Sequence, residues 1–282
     1  MEPWFIFALA SAIFAGLYSF STRVSAHYQH HSALVYVYGA ISATVFSGIY
    51  VIYVEPSMSR IGLIILIGAI DAFAYMLISM ARVEALKVID STIFFPVYKA
   101  TSSILAIPLG ILLFSDILTG KEVIGIFIGI LAPILLINKK EHLRQVNLKK
   151  GLLLTGACVA GALLVSSIAK YVNVQELDIS LYTFFAFAFG VPFAILMYKK
   201  TNKGKHKTRH VEWVGLLGGA FMFLNLLFFL HALTGNLGTV YIINSFSTVI
   251  VVVLSVLTFR EHVDIKKFGA LVATVVSLIL IK

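Results

Sequence analysis

Val97-Tyr98-Lys99-Ala100-Thr101-Ser102-Ser103 and Ile242-Ile243-Asn244-Ser245-Phe246-Ser247-Thr248 match position by position, one stretch in each half of the chain. Their surroundings match as well. Ala85-Leu86 precedes the first stretch and Ala232-Leu233 the second. An acid follows each at the same distance: Asp116 lies fourteen residues after Ser102, and Glu261 fourteen after Ser247. A glycine follows each acid, Gly125 and Gly269. An internal repeat in an apolar chain is the arrangement in which two copies pack around a site near the bilayer midplane. The copies differ where it matters for charge, with Lys99 in the first and Asn244 in the second.

Composition makes the bilayer the solvent. Of 282 residues 60% are hydrophobic and 12% charged, with a mean hydropathy of +0.97. A soluble domain of this length has no interior large enough to hide that much apolar surface. Lys and Arg outnumber Asp and Glu by 22 to 13. Because the excess sits in short breaks between apolar runs, it reads as an orientation signal and not as a nucleic-acid surface. Cys158 is the single cysteine, so no intrachain disulfide or thiolate metal cluster is expected. The start Met1-Glu2-Pro3-Trp4 lacks the basic region of a cleaved signal, and the first span is expected to be retained.

Apolar runs fall at about 3–22, 32–54, 61–81, 90–114, 122–138, 151–171, 180–198, 212–232, 238–259 and 264–281. They are continuously apolar where a barrel strand would alternate. The expected fold is an all-α membrane protein of ten transmembrane helices. Residues 1–138 form one five-helix repeat, 139–150 a basic connecting loop and 151–282 a second repeat. Five is odd, so the second copy enters from the opposite side and the repeats are inverted. Breaks after the odd-numbered spans hold seventeen Lys and Arg, Arg82 among them, against four on the other face: Arg60, Lys121, Lys170 and Lys282. By the positive-inside rule both termini then lie outside.

Lys99 lies roughly 13 Å inside the fourth span at the helical rise. A charge at that depth is a functional candidate with a partner to be found. Asp71 in the third span is the expected partner, brought to similar depth by a hairpin over residues 82–89. The pair could bind an anionic group, couple proton movement to conformational change, or serve as a structural ion pair. Pro96 can kink the span beside Tyr98 and Lys99. Ser102 and Ser247 could line a polar path or bond their own helices. Asn244 and Asn225 add neutral donors and acceptors. Lys99, Asp71, Asn244, Asn225, Tyr98, Ser102 and Ser247 therefore form the candidate substrate-binding or coupling set. A site charged on one side and neutral on the other suits a substrate with one anionic end. Gly125 and Gly129 form a GxxxG suited to close helix packing. Arg23 and Lys170 are read as interface anchors. His27, His30 and His31 lack the spacing of a metal site, and no nucleotide-binding or familiar catalytic motif occurs. No metal, cofactor or catalytic residue is expected.

With these residues in view, the chain resembles the drug/metabolite transporter superfamily, in its ten-helix EamA-like branch. The resemblance rests on the Ala-Leu endings of spans three and eight, the polar block in spans four and nine, and the acid-then-glycine openings of spans five and ten. Leu112-Leu113-Phe114-Ser115-Asp116 departs from the usual glutamate form, which Phe259-Arg260-Glu261 keeps. The resemblance implies secondary transport, often export, of small metabolites such as amino acids, and together with Lys99 the expected substrate is a small polar or anionic metabolite carried across a plasma or inner membrane. It implies a central cavity lined by spans three, four, eight and nine together with one, two, six and seven. It also implies termini in the cytoplasm, against the charge count. Expected partners are a small-molecule substrate, lipid and a coupling proton, in a monomer or homodimer, with no nucleic acid. A membrane-embedded enzyme acting on a lipid-linked substrate is the alternative, although no cluster of acids or histidines supports it. A non-transporting membrane subunit is a further one.

Overall fold

The computed structural model describes residues 2–89, 91–135, 148–202 and 210–259, with 269, 272, 276, 277, 279 and 280. Every regular element among them is helical. The helices are α1 (Pro3–His27), α2 (Ser32–Val54), α3 (Ile61–Leu86), α4 (Ser91–Phe114), α5 (Gly120–Leu135) and α6 (Leu148–Val174). They continue as α7 (Ile179–Ala188), α8 (Gly190–Thr201), α9 (Val211–Ala232), α10 (Leu237–Ser245) and α11 (Ser247–Phe259). Within a bilayer only structures that satisfy their own backbone can span, and helices do so within one segment.

Eight stretches among the described residues are long and apolar enough to cross a membrane. One comprises α7 with α8, and another α10 with the start of α11. The expected fifth span contains α5, of which 16 residues are described. The expected tenth lies largely outside the described residues, as do Glu261 and most of the two basic loops. Ser277 is helical, and its hydroxyl donates to the Gly125 carbonyl at 2.7 Å, which sets it against the glycine-bearing face of α5.

Two spans are broken. Pro192 has no N–H to give the Ala188 carbonyl, and the helix restarts after Phe189. At Phe246 the backbone tightens, with Phe246 N–H bonding Ile243 O and Val249 N–H bonding Phe246 O. That second break comes half a turn after Asn244.

The two halves interdigitate. α9 packs on both α1 and α2, and α6 packs on both α3 and α4. The consecutive helices α3 and α4 barely meet. Small residues permit the closest approach. A side chain on Gly219 of α9 would overlap the Gly39 carbonyl oxygen of α2. Gly215 and Gly219 are thus the helix-packing pair of the core, a role the sequence reading gave only to Gly125 and Gly129.

Polar connections tie the halves at one end of the bundle. Asp178 caps α7, accepting from Leu181 N–H at 3.0 Å, and also accepts from Ser57 N–H at 2.8 Å. Partial burial pushes its carboxyl upward, but hydrogen bonds from Ser180, Leu181 and Ser57 outweigh that and hold it below its ordinary value. Asp116 accepts from Leu237 N–H at 2.6 Å, placing a carboxylate at the N-terminus of α10. Lys170 is no interface anchor. It is buried, donates to the Leu233 and Gly235 carbonyls at 3.0 and 2.7 Å, and lies 3.4 Å from Asp116. The carbonyls left free past the end of α9 draw it inward.

Candidate substrate cavity

Lys99 is the centre of the site. Its ammonium donates to Asn244 Oδ1 at 2.6 Å, across the interface between α4 and α10. Asn244 Nδ2 in turn donates to Ser11 Oγ of α1 at 2.9 Å, and Ser11 donates to Asn225 Oδ1 of α9 at 3.0 Å. The lysine has no acceptor to offer, so the amide oxygen must face it and the amide nitrogen must face Ser11. Only one of the three ammonium donors is taken by this bond.

Lys99, Asn225 and Asn244 line a cavity of about 80 Å³ between the halves, with Ser11 behind its wall. Its walls come from α1, α3 and α4 of the first half and α6, α9 and α10 of the second. Tyr18, Tyr75, Tyr98, Phe229 and Tyr241 give it an aromatic lining, and among the described residues no carboxylate contributes to it. Tyr241 also ties α10 to α6, donating to Ala162 O at 3.0 Å and accepting from Ser166 at 2.9 Å.

Arg82 is the residue that sequence reasoning missed. Its guanidinium carbon stands 5.2 Å from the Tyr18 ring centre and 5.3 Å from that of Tyr98, whose hydroxyl it donates to at 3.3 Å. Lys99 Nζ is 5.6 Å from the same Tyr98 ring. Both cations are 7% exposed. Aromatic faces offset part of the cost of burying such charges, and the remainder calls for an anion. The span boundary drawn at residue 81 put Arg82 among the seventeen loop charges, whereas α3 runs on to Leu86 and carries it inside. The periodicity could have found it, because Tyr75 and Arg82 are seven apart and share a helical face.

Asp71 is not the partner of Lys99. The expected hairpin fails because α6 is inserted between α3 and α4. Asp71 is 1% exposed and lies outside the cavity lining. Ser102 and Ser247 are fully buried without hydrogen-bond partners, and they do not line the cavity either. Tyr98, Asn225 and Asn244 do. Neither α2 nor the α7–α8 span contributes to the wall, in contrast to the lining implied by the resemblance.

Comparison with known proteins fits this architecture. Residues 150–282 match the EamA-like transporter family, of the drug/metabolite transporter superfamily. No curated protein matches the sequence. A crystal structure of a protein 14% identical in sequence superposes with a TM-score of 0.75, covering 97% of this chain and 95% of its own. At that identity the likeness shows the fold alone. The chain is a multi-pass membrane protein.

Proposed function

We propose, from the premise that the second half of this chain is an EamA-like transporter unit, that the protein is a secondary transporter of small metabolites bearing an anionic group. The single observation that carries the reading is the pairing of Arg82 and Lys99 in one cavity to whose wall no described residue adds a carboxylate. An anion with several oxygens accepts from the unused donors of both and removes their mutual repulsion.

The polarity of the site points to the shape of the substrate. Counting back from the Ala-Leu pairs, Arg82 corresponds to Phe229, as Lys99 corresponds to Asn244. All the positive charge comes from the first half, and its counterparts in the second are aromatic or neutral. An anionic head held at α3 and α4, with a less polar body toward α9 and α10, fits that division.

Alternating access between two inverted five-helix repeats is the mechanism we favour. Equivalent positions touch at Lys99 and Asn244, as residues near a two-fold axis do. The packing exchanges in the same way, α1 on α9 as α6 on α3, and α1 on α11 as α6 on α4. The breaks at Phe189 and Phe246 supply places for the chain to bend. Export, location in the plasma or inner membrane and termini outside are further parts of the proposal, resting on the family resemblance and on the basic-residue asymmetry.

The test uses purified protein in proteoliposomes with inorganic phosphate, a dicarboxylate and an anionic amino acid as probes. Uptake or exchange of one class is expected, together with thermal stabilisation by it. Lys99→Met and Arg82→Gln should each raise the Kd read from that stabilisation about tenfold or more, equal to about 1.4 kcal/mol or above. Unchanged stabilisation in both variants would reject the site.

A further inference from the structure

A second buried charge-bearing group lies one helical turn beyond the cavity wall. Asp71 precedes the wall residue Tyr75 by four positions on α3, so the two share a face and differ in depth by roughly 6 Å. Around Asp71 are two phenols from different helices, Tyr36 of α2 and Tyr182 of α7. Asp71 is 1% exposed, Tyr36 4% and Tyr182 0%. Asp71 Oδ1 and the Tyr36 hydroxyl are buried without a hydrogen-bond partner. The three polar groups thus lie together, with the Tyr182 hydroxyl directed at the Asp71 carboxyl and Tyr36 beside them.

Among the described residues no lysine, arginine or histidine pairs with Asp71. The other titratable groups near this part of α3 are Tyr75 of α3 itself, which faces Tyr182, Tyr18 of α1, which faces Tyr36 as well as Arg82, and Tyr98 of α4 and Cys158 of α6, which face Arg82. α8 brings Gly190, which leaves room for the Tyr36 hydroxyl and directly follows the break at Phe189. A lone ionised carboxylate in such a place costs many kcal/mol, and the group avoids that cost by holding a proton. A metal ion is a poor fit, since hard cations take about six oxygens and the cluster offers one carboxyl and two phenols.

We propose that Asp71 is a proton-binding site of the transport cycle. The carboxyl is protonated while α2, α3 and α7 close over it, as in this structure. Bending at the α7–α8 break wets the cluster, and the proton passes from Asp71 to water, with Tyr36 and Tyr182 flanking the exit. Proton transfer at Asp71 and anion binding at Arg82 and Lys99 are then separate events on one helix, linked by the movement of α3. The coupling rests on the transport reading above, whereas proton occupancy of Asp71 does not.

Two measurements keep those apart. Infrared difference spectra of the reconstituted protein, stepped from acidic to alkaline buffer without substrate, should lose a buried carboxylic-acid band. That band should be absent in Asp71→Asn and shifted in frequency in Asp71→Glu. No such band, or one unmoved in both variants, overturns the proposal whatever the protein transports. The second measurement is phosphate or dicarboxylate flux with and without an imposed pH gradient. Wild type should respond several-fold to the gradient, and Asp71→Asn should keep anion exchange but lose the response entirely. An equal response in Asp71→Asn, or a response to a sodium gradient in place of the pH gradient, overturns it. If wild type moves no probe anion, the transport reading fails and the spectra alone decide the proton site.

Discussion

Lys99 of α4 donates to Asn244 of α10 across 2.6 Å, so the residues that differ in charge between the two matching stretches are also the ones that touch. The contact explains the substitution. Two lysines facing each other here would repel, and two asparagines would leave the site without a charge. One of each gives a hydrogen bond across the interface and leaves the remaining ammonium donors for the cavity. The same contact holds α10 just ahead of its break at Phe246.

Asn244→Asp should therefore cost the site its anion preference. A carboxylate at hydrogen-bond distance attracts the ammonium by several kcal/mol at the effective dielectric of protein sites, and it repels an incoming anion. We expect anion-dependent thermal stabilisation to fall about tenfold or more, while the unliganded protein keeps or gains stability. Anion stabilisation equal to wild type would mean that Lys99 does not face the ligand.

Gly219→Val should destabilise the bundle without touching the cavity. Any Cβ there overlaps the Gly39 carbonyl, so α2 and α9 must separate. Overpacking of this kind costs about 1–3 kcal/mol. Unfolding of the purified protein in detergent reads the loss, and Gly156→Ala on α6, where an added Cβ meets nothing within 4 Å, is the control.

Lys170 and Asp116 should behave as a coupled pair. Each also serves a helix terminus, Lys170 the end of α9 and Asp116 the start of α10. Breaking a buried pair from one side leaves the other charge uncompensated and costs about 3 kcal/mol. Lys170→Met and Asp116→Asn should each lower the melting temperature, and the double variant should fall short of the sum of the two. Strict additivity would show that the 3.4 Å approach carries no coupling.

Asp178 sets an acid limit on one end of the bundle. Its carboxyl is held below the ordinary value, so its contribution is complete above the unfolded value of about 3.9 and is lost as pH falls through the lower folded one. Neutral to mildly acidic buffers should leave the link from Ser57 to the α7 cap intact. Hydrogen exchange at the Ser57 and Leu181 amides should rise only in strongly acidic buffer, whereas Asp178→Asn should raise it at neutral pH. Exchange already rising near neutrality in the wild type would refute the assignment.

The apolar runs and their breaks determined the helical class, the membrane as solvent and the approximate spans, because hydrophobic length and helical backbone satisfaction are properties of each segment alone. The repeat, read from Lys99, Asn244 and their flanking residues, also pointed to residues that the structure brings to one cavity. Tertiary structure decided the rest. Which helix neighbours which is not written in any segment, and the insertion of α6 between α3 and α4 separated Asp71 from Lys99. The continuation of α3 to Leu86 moved Arg82 from a loop into the cavity, a matter of one helical turn to which composition is blind. Charge pairing depends on distances of a few ångströms between distant parts of the chain, and packing alone sets those.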